Sequence, residues 1–438
     1  MRAARRLRPV FTAALTSAGL RDARRALHEL GRRLRRAPHR VHYFHQVDDP
    51  YGQLVAQVLP AFVARYAVEL VPHLVPPPSA EAAPERERLV AYARKDAADV
   101  APYLGLAFRD PGRQPPPESM ERAQRALAGA TDAATFAALA ARVGTALWSG
   151  DDAGLASLAA ASSAGAAEAL RALGDGASLR RHLGHYLGAT FAYAGEWYWG
   201  VDRLDHLEQR LAALGLRRSG APEAWLLARP TPGRIGPGAR ELTLEFFASL
   251  RSPYTYLAMQ RVQDLARRTA VRLELRPVLP MVMRGLSVPW PKRRTIVLDT
   301  KREAERLGVP FGRVQDPVGR AVELGTSLFP WAREQGRGGE LLHAFARAAF
   351  AEGVDLESEE GLARVVRAAG LDWQQARERL GNDAWRAELE PNRKDLLAMG
   401  LWGVPSFRLR GPAGTPDFCS WGQDRLWLVE AEIARRSA

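Results

Sequence analysis

The stretch LTLEFFASLRSPYT, Leu242 to Thr255, decides the fold. Leu242, Leu244 and Phe246 share one face of a strand. Pro253 suits the first position of a helix, because its φ is preset and its missing N–H costs nothing there. Ser252 then falls at the N-cap, where its hydroxyl can satisfy a free amide. Ala258, Val262 and Leu265 continue as the buried stripe of that helix. In the next strand, VRLELRPVLP, Val271, Leu273 and Leu275 alternate with Arg272, Glu274 and Arg276. A strand–helix–strand unit of this length implies a parallel, right-handed crossover.

The same succession occurs earlier in the chain. Val41 to Phe44 is strand-like, Asp49-Pro50-Tyr51 makes the turn, and VELVPHLVPPP supplies the second strand. Ala-rich helical segments follow, from Met120 to Leu173 in the first copy, and a comparable helical run from Val318 to Leu380 in the second. Both copies close on Trp-Gly-x-Asp-Arg-Leu, at Trp199 to Leu204 and Trp421 to Leu426, and Phe191 matches Phe407. Two copies are too few for a solenoid, so the chain reads as a tandem duplication. The expected organisation is a basic amphipathic arm over 1–40, a first domain over 41–220, a Pro/Gly-rich linker over 221–240 and a second domain over 241–438. Asp49 aligns with Ser252, Ala189 with Pro405 and Asp202 with Asp424.

The chain has 438 residues and a formal charge of +13, but residues 1–40 hold twelve Arg against Asp22 and Glu29, a net +10. The basicity therefore belongs to the arm, and no specific nucleic-acid binding is expected. Leu20, Leu27, Leu30 and Leu34 fall near helical spacing with Arg on the other faces. This reads as an amphipathic helix packed on its own protein or frayed. Weak contact of residues 1–40 with an anionic surface stays open. No run approaches the ~20 apolar residues of a membrane span. The apolar stretch Val10 to Leu20 lacks a cleavage site, so a cytoplasmic location is expected. A single cysteine, Cys419, excludes an intrachain disulfide.

Other constellations are weak. His42 and His45 point to opposite faces of a strand and cannot chelate together. His182 and His185 read as surface or capping residues, and no metal site is expected. There is no G-x-S-x-G elbow and no P-loop, and GRIGPG lies outside a strand–helix context. Trp197, Tyr198 and Trp199 read as core and interface.

The turn Ser252-Pro253-Tyr254-Thr255, taken with Gly403-Val404-Pro405-Ser406-Phe407, resembles one branch of the thioredoxin fold. That branch holds DsbA-like oxidoreductases, kappa-class glutathione transferases and 2-hydroxychromene-2-carboxylate isomerases. RPVLPMVMRGL followed by KRRTIVLDTKREAERLGVPF is similar to the isomerase members. The resemblance implies an α/β protein of two tandem thioredoxin-like domains, each with an inserted helical subdomain. It implies glutathione as cofactor and a small electrophilic, unsaturated aromatic substrate. Ser252 would be the catalytic group that holds the thiolate, with Pro253 and Tyr254 of the same turn among the cofactor-binding residues. Val404 and Pro405 would form a cis-proline loop against the cysteinyl unit. Asp424 and Arg425 would hold the γ-glutamyl end, Asp424 meeting the amine. Tyr254 and Trp290 are the residues expected to line the acceptor pocket.

The turn carries no Cys-x-x-Cys, so it cannot exchange a disulfide. Two functional readings remain. One is a glutathione-dependent isomerase or transferase. The other is a non-catalytic binding or assembly module, favoured by Arg284–Pro289, which stands where the family often has Gly-Asn. In the first copy a carboxylate at Asp49 repels a thiolate, and without proline the peptides around Ala189 are expected trans. That copy is either a scaffold or, through Asp49 and His45, an acid–base site. Relatives of this type are often homodimers, so the two copies could form an intrachain pseudo-dimer.

Overall fold

Two helices open the chain, α1 (Arg2–Leu15) and α2 (Ala18–Leu34). The computed structural model describes residues 2–130, 132–228, 231, 233–412 and 414–438, with side chains from residue 8 onward. Three positions of the linker expected over 221–240, namely 229, 230 and 232, and position 1 of the arm lie outside the described residues. The chain divides into two units: residues 24–230, here the N-unit, and residues 231–438 together with 1–23, here the C-unit.

In the N-unit, β1 (Arg40–His45) and β2 (Glu69–Leu74) pair in parallel across helix α3 (Pro50–Arg65). Helices α4 (Arg86–Val100), α5 (Pro117–Ala128), α6 (Ala133–Ser149), α7 (Asp152–Ala160) and α8 (Ala166–His182) follow. An antiparallel hairpin, β3 (Thr190–Tyr193) and β4 (Glu196–Trp199), leads into α9 (Leu204–Ala213). The strand order is β2-β1-β3-β4.

The C-unit repeats this plan. Strands β5 (Thr243–Ala248) and β6 (Arg272–Pro277) pair in parallel across α10 (Pro253–Thr269). Helix α11 (Trp290–Leu307) precedes α12 (Arg320–Ser327), α13 (Phe329–Glu334), α14 (Gly338–Arg347), α15 (Glu359–Ala368), α16 (Trp373–Arg377) and α17 (Ala384–Ala398). The hairpin β7 (Ser406–Arg410) and β8 (Phe418–Trp421) then leads into α18 (Leu426–Ser437). The order is β6-β5-β7-β8. Register repeats as well: Arg40 faces Glu69 as Thr243 faces Arg272, and Tyr43 faces Phe191 as Phe246 faces Phe407.

One face of the C-unit sheet is apolar, as the alternation demands. Leu244, Phe246, Phe407 and Leu409 pack with Val262 and Leu265 of α10 and with Val429 and Ile433 of α18. The opposite face is ionic. Glu245 is fully buried and accepts from Arg276 at 2.9 Å and from Arg408, with Arg410 at 3.4 Å. Arg276 also reaches Asn392, at 2.6 Å, and Asp395, both on α17. The guanidinium groups of Arg276 and Arg408 stand 5.5 and 5.9 Å from the Phe247 ring.

The N-unit covers the same face with neutral aromatics. His42 Nδ1 and His73 Nε2 share a hydrogen bond of 2.9 Å, and Phe44 stacks on both rings. Burial lowers the pKa of both histidines, that of His73 to about 4. His185, expected at the surface or as a cap, is instead buried. Its ring stacks on Trp197 at 4.3 Å, and its Nδ1 accepts from the Leu187 amide.

The arm is divided between the two units. In the C-unit, Thr12 of α1 accepts from Val314 N at 2.9 Å and Thr16 donates to Gly312 O at 3.4 Å. In the N-unit, α2 is held through Arg25, paired with Glu196 at 2.6 and 2.8 Å, while its leucines stay exposed. Among the described residues no helix is long and apolar enough to cross a membrane.

Removing a buried counter-charge costs more than the pair itself contributes, because its partners are left desolvated. Glu245→Ala is therefore expected to destabilise the C-unit by about 3 kcal/mol, read as a lower urea midpoint by tryptophan fluorescence. An unchanged midpoint would show that the arginines are solvated without it.

Candidate functional site

Strand β5 ends at Ala248, and four residues later Ser252 caps α10 with φ −93° and ψ 114°. Its Oγ accepts from Thr255 N at 3.1 Å and donates to Val404 O at 3.3 Å. The first bond is what an N-cap does. The second ties the start of the helix to a residue 152 positions away.

Val404 precedes Pro405 across a cis peptide bond. The Pro405 carbonyl accepts from Gly422 N at 2.9 Å, at the end of β8. Gly422 has φ +117°, and a Cβ there would come within 2.5 Å of Asp424 Oδ1. The Asp424 carboxylate therefore lies folded over the Gly422 backbone. Ser252, Val404, Pro405, Gly422 and Asp424 thus form one chain of contacts. Ser252, Pro253, Val404 and Asp424 are half-buried and Pro405 is buried. No protein group accepts from the Val404 N–H among the described residues.

Close packing holds the loop from behind. The Trp421 ring lies so near Gly403 that a Cβ there would approach it to 2.2 Å. Trp402 packs on Trp421 with centroids 4.7 Å apart, and Arg284 donates to the Trp402 carbonyl at 2.7 Å. Arg284, just beyond β6, thus supports the loop from the segment that departs from the family's Gly-Asn. Ser406 Oγ donates to Gly403 O at 2.9 Å.

The Tyr254 hydroxyl donates to Asp299 Oδ2 of α11 at 2.8 Å. Lys292 stands seven residues before Asp299, on the same face of that helix. It is half-buried, and desolvation lowers its pKa. The sequence reading missed this residue; its i, i+7 relation to Asp299 was visible, but the Tyr254 contact that gives the face its meaning was not. Trp290 is not brought to the cluster. It is 64 % exposed, and its nine-residue separation from Asp299 places it about half a turn round the helix. Arg425 is enclosed by the protein, so it can position the turn but presents little surface to a ligand. A cavity of about 430 Å³ opens two to three turns along α10, lined by Gln260, His343, Arg347 and Arg364, away from Ser252.

The N-unit builds the same frame with other chemistry. Asp49 caps α3 and accepts from Tyr51 N at 3.0 Å. Tyr51 donates to Asp96 Oδ2 at 2.7 Å, as Tyr254 does to Asp299. Gly200 N donates to Ala189 O at 2.8 Å, as Gly422 does to Pro405. Ala189 adopts φ +50° where Pro405 stands in the C-unit. The Gly188 backbone lies close to the Asp49 carboxyl: a Cβ on Gly188 would meet Oδ2 at 3.4 Å. Burial pushes Asp49 up to about 7, with Asp48 adding to the effect. His45 is buried with Nδ1 paired to the Tyr43 hydroxyl at 3.0 Å, and burial lowers it to about 4.

Residues 243–434 match the family of DSBA-like thioredoxin domains. The 2-hydroxychromene-2-carboxylate isomerase of Sphingobium xenophagum is 26 % identical over 196 residues, 44 % of this chain and 97 % of that protein. The 2-hydroxychromene-2-carboxylate isomerase of Pseudomonas putida is 22 % identical over 202 residues, 44 % of this chain and 95 % of that protein. A solved structure of a 2-hydroxychromene-2-carboxylate isomerase aligns with 44 % of this chain and 95 % of its own, at 21 % identity and a TM-score of 0.37. The C-terminal half of the chain matches DsbA-like thioredoxin domains, and the relatives it is similar to are named as isomerases.

The Asp49 shift has a definite sign. Its pKa is raised from 3.8 to about 7 on folding, so the unfolded chain ionises first and the ionised group opposes folding at neutral pH. Asparagine keeps the cap. Asp49→Asn is expected to raise the unfolding temperature of the N-unit above pH 7 and to give little gain below pH 3.8. A gain independent of pH would remove ionisation as its cause.

Proposed function

We propose that the C-unit is a glutathione-dependent isomerase or transferase of the 2-hydroxychromene-2-carboxylate isomerase kind, acting on a small electrophilic, unsaturated aromatic compound. The observation that carries this reading is the chain of contacts from Ser252 at the amino end of α10 through the Val404–Pro405 loop and Gly422 to Asp424, in a turn without cysteine. The donor set fits the cofactor. A hydroxyl and a helix amino end suit a thiolate. An unpaired backbone N–H at Val404 suits a peptide carbonyl, and the Asp424 carboxylate suits an ammonium group.

When bound, glutathione supplies a thiolate that adds reversibly to a conjugated double bond and leaves after rotation. The protein's part is to hold and orient. Ser252 would hold the sulfur through its hydroxyl, while the α10 dipole would lower the cost of the negative charge. Val404 fixes the cysteinyl backbone and Asp424 the amino end. Tyr254, anchored by Asp299, and Lys292 on the same face of α11 flank the acceptor, Lys292 complementing an acceptor carboxylate. The N-unit lacks the hydroxyl and the cis-proline and serves as a scaffold.

Ser252→Ala is expected to lower kcat/KM by about a hundredfold, the usual effect of removing one donor to a developing or held anion. Asp49→Ala removes an equivalent cap, worth about 1 kcal/mol of stability, yet is expected to leave turnover intact. Equal losses from both changes would refute the division of labour. Glutathione at about 100 times its dissociation constant should stabilise the wild type by about 2.7 kcal/mol. No shift in unfolding temperature at millimolar glutathione would favour the binding-module reading instead.

A further inference from the structure

Helix α2 packs by its charged side and turns its leucines to solvent. On the packed side Arg25 pairs with Glu196 of β4, and the His28 ring meets Tyr193 edge-on. Glu29 binds Arg32 and Arg33 at 2.5 and 2.8 Å, and Arg32 also donates to Ala37 O at 2.7 Å. On the outer side Leu27, Leu30 and Leu34 are 68, 55 and 78 % exposed. Their spacing of three and four residues makes a single stripe along the helix. No residue of α2 is buried. This inverts the usual globular pattern, in which the apolar stripe faces the core.

The stripe is bordered by cations. Arg24, Arg33, Arg35, Arg36 and Arg40 are exposed. Residues 24–40 carry seven Arg and one acid, Glu29. Glu29 is already engaged, and the Arg32 and Arg33 guanidinium groups hold its pKa at about 2. Arg25, Arg32, Arg33 and Arg40 pair with Glu196, Glu29 and Glu69, whereas Arg24, Arg35 and Arg36 border the leucines with no acid partner among the described residues.

Charge and area decide between occupants. A second copy of this helix would set like charge against like. One stripe on a short helix also falls below the roughly 1,000 Å² of a stable interface. A nucleic acid would use the arginines and leave the leucines wet. An anionic lipid surface uses both: leucines enter the acyl boundary and arginine heads reach the phosphates. We propose that α2 is an interfacial helix that seats residues 24–40 of the N-unit on an anionic bilayer. This is independent of the reaction assigned to the C-unit.

The test is co-sedimentation of the full chain with phosphatidylcholine vesicles, with and without phosphatidylglycerol. Binding is expected only with phosphatidylglycerol, and weakens with added salt. The triple change Leu27→Ser, Leu30→Ser, Leu34→Ser should lower the partition constant by about a hundredfold. Arg24→Ser, Arg35→Ser and Arg36→Ser together should do the same, at about fivefold each. Because all six residues are exposed, circular dichroism and the unfolding temperature should not change. Retention of binding by the leucine variant, equal binding to neutral vesicles, or no binding at all would overturn the proposal. So would a concentration-dependent dimer, abolished by the leucine changes and seen without vesicle binding; that result would assign the stripe to a second copy.

Discussion

The amino end of a helix leaves amide groups that nothing within the helix can satisfy, and in both units one side chain meets that need at the place where the first strand ends. Ser252 does so for α10 and Asp49 for α3. The proline that follows presets the first turn. Because the cap is fixed by its own helix, its remaining bonding capacity can point across the sheet. In the C-unit that capacity reaches Val404 and brings the cis-proline loop to the helix. The loop in turn fixes Gly422, and Gly422 fixes Asp424. A cluster drawn from three distant segments is thus organised by one local requirement.

The two units show how much chemistry can change while that frame persists. Tyr254–Asp299 and Tyr51–Asp96 are the same strut, and both hairpins are tied by a Gly amide to the carbonyl before the strand. Within the frame, the position of a neutral hydroxyl is taken by a half-buried carboxyl whose pKa desolvation raises to about 7. A carboxyl caps a helix as well as a hydroxyl does, so the frame persists, although the ionised group opposes folding above about pH 7. The outer sheet faces differ in the same spirit. A buried glutamate shared by arginines and a stacked pair of neutral histidines are two ways of satisfying polar groups out of water.

The arm separates two uses of an amphipathic helix. Arg25 faces the protein, where Glu196 offers a bidentate partner, and the leucines lie on the opposite side of the helix. The leucines are then exposed by default. A hydrophobic stripe read from a sequence says that some apolar surface will cover it; it does not say that the surface belongs to the same chain.

Sequence alone determined the strand–turn–helix units, the Ser252 and Asp49 caps, the closing Trp-Gly-x-Asp-Arg-Leu and the pairing of residues between the copies, because these rest on periodicity and on preferences local to a few residues. Only the tertiary structure decided that Val404 meets Ser252, that Asp424 folds over Gly422, that Lys292 rather than Trp290 shares the Asp299 face, that His185 is buried against Trp197 and that α2 shows its leucines to solvent. Each of these depends on which distant element covers a given face. A period of two or of 3.6 residues defines faces within an element, and says nothing about the segment that will arrive from elsewhere in the chain to meet them.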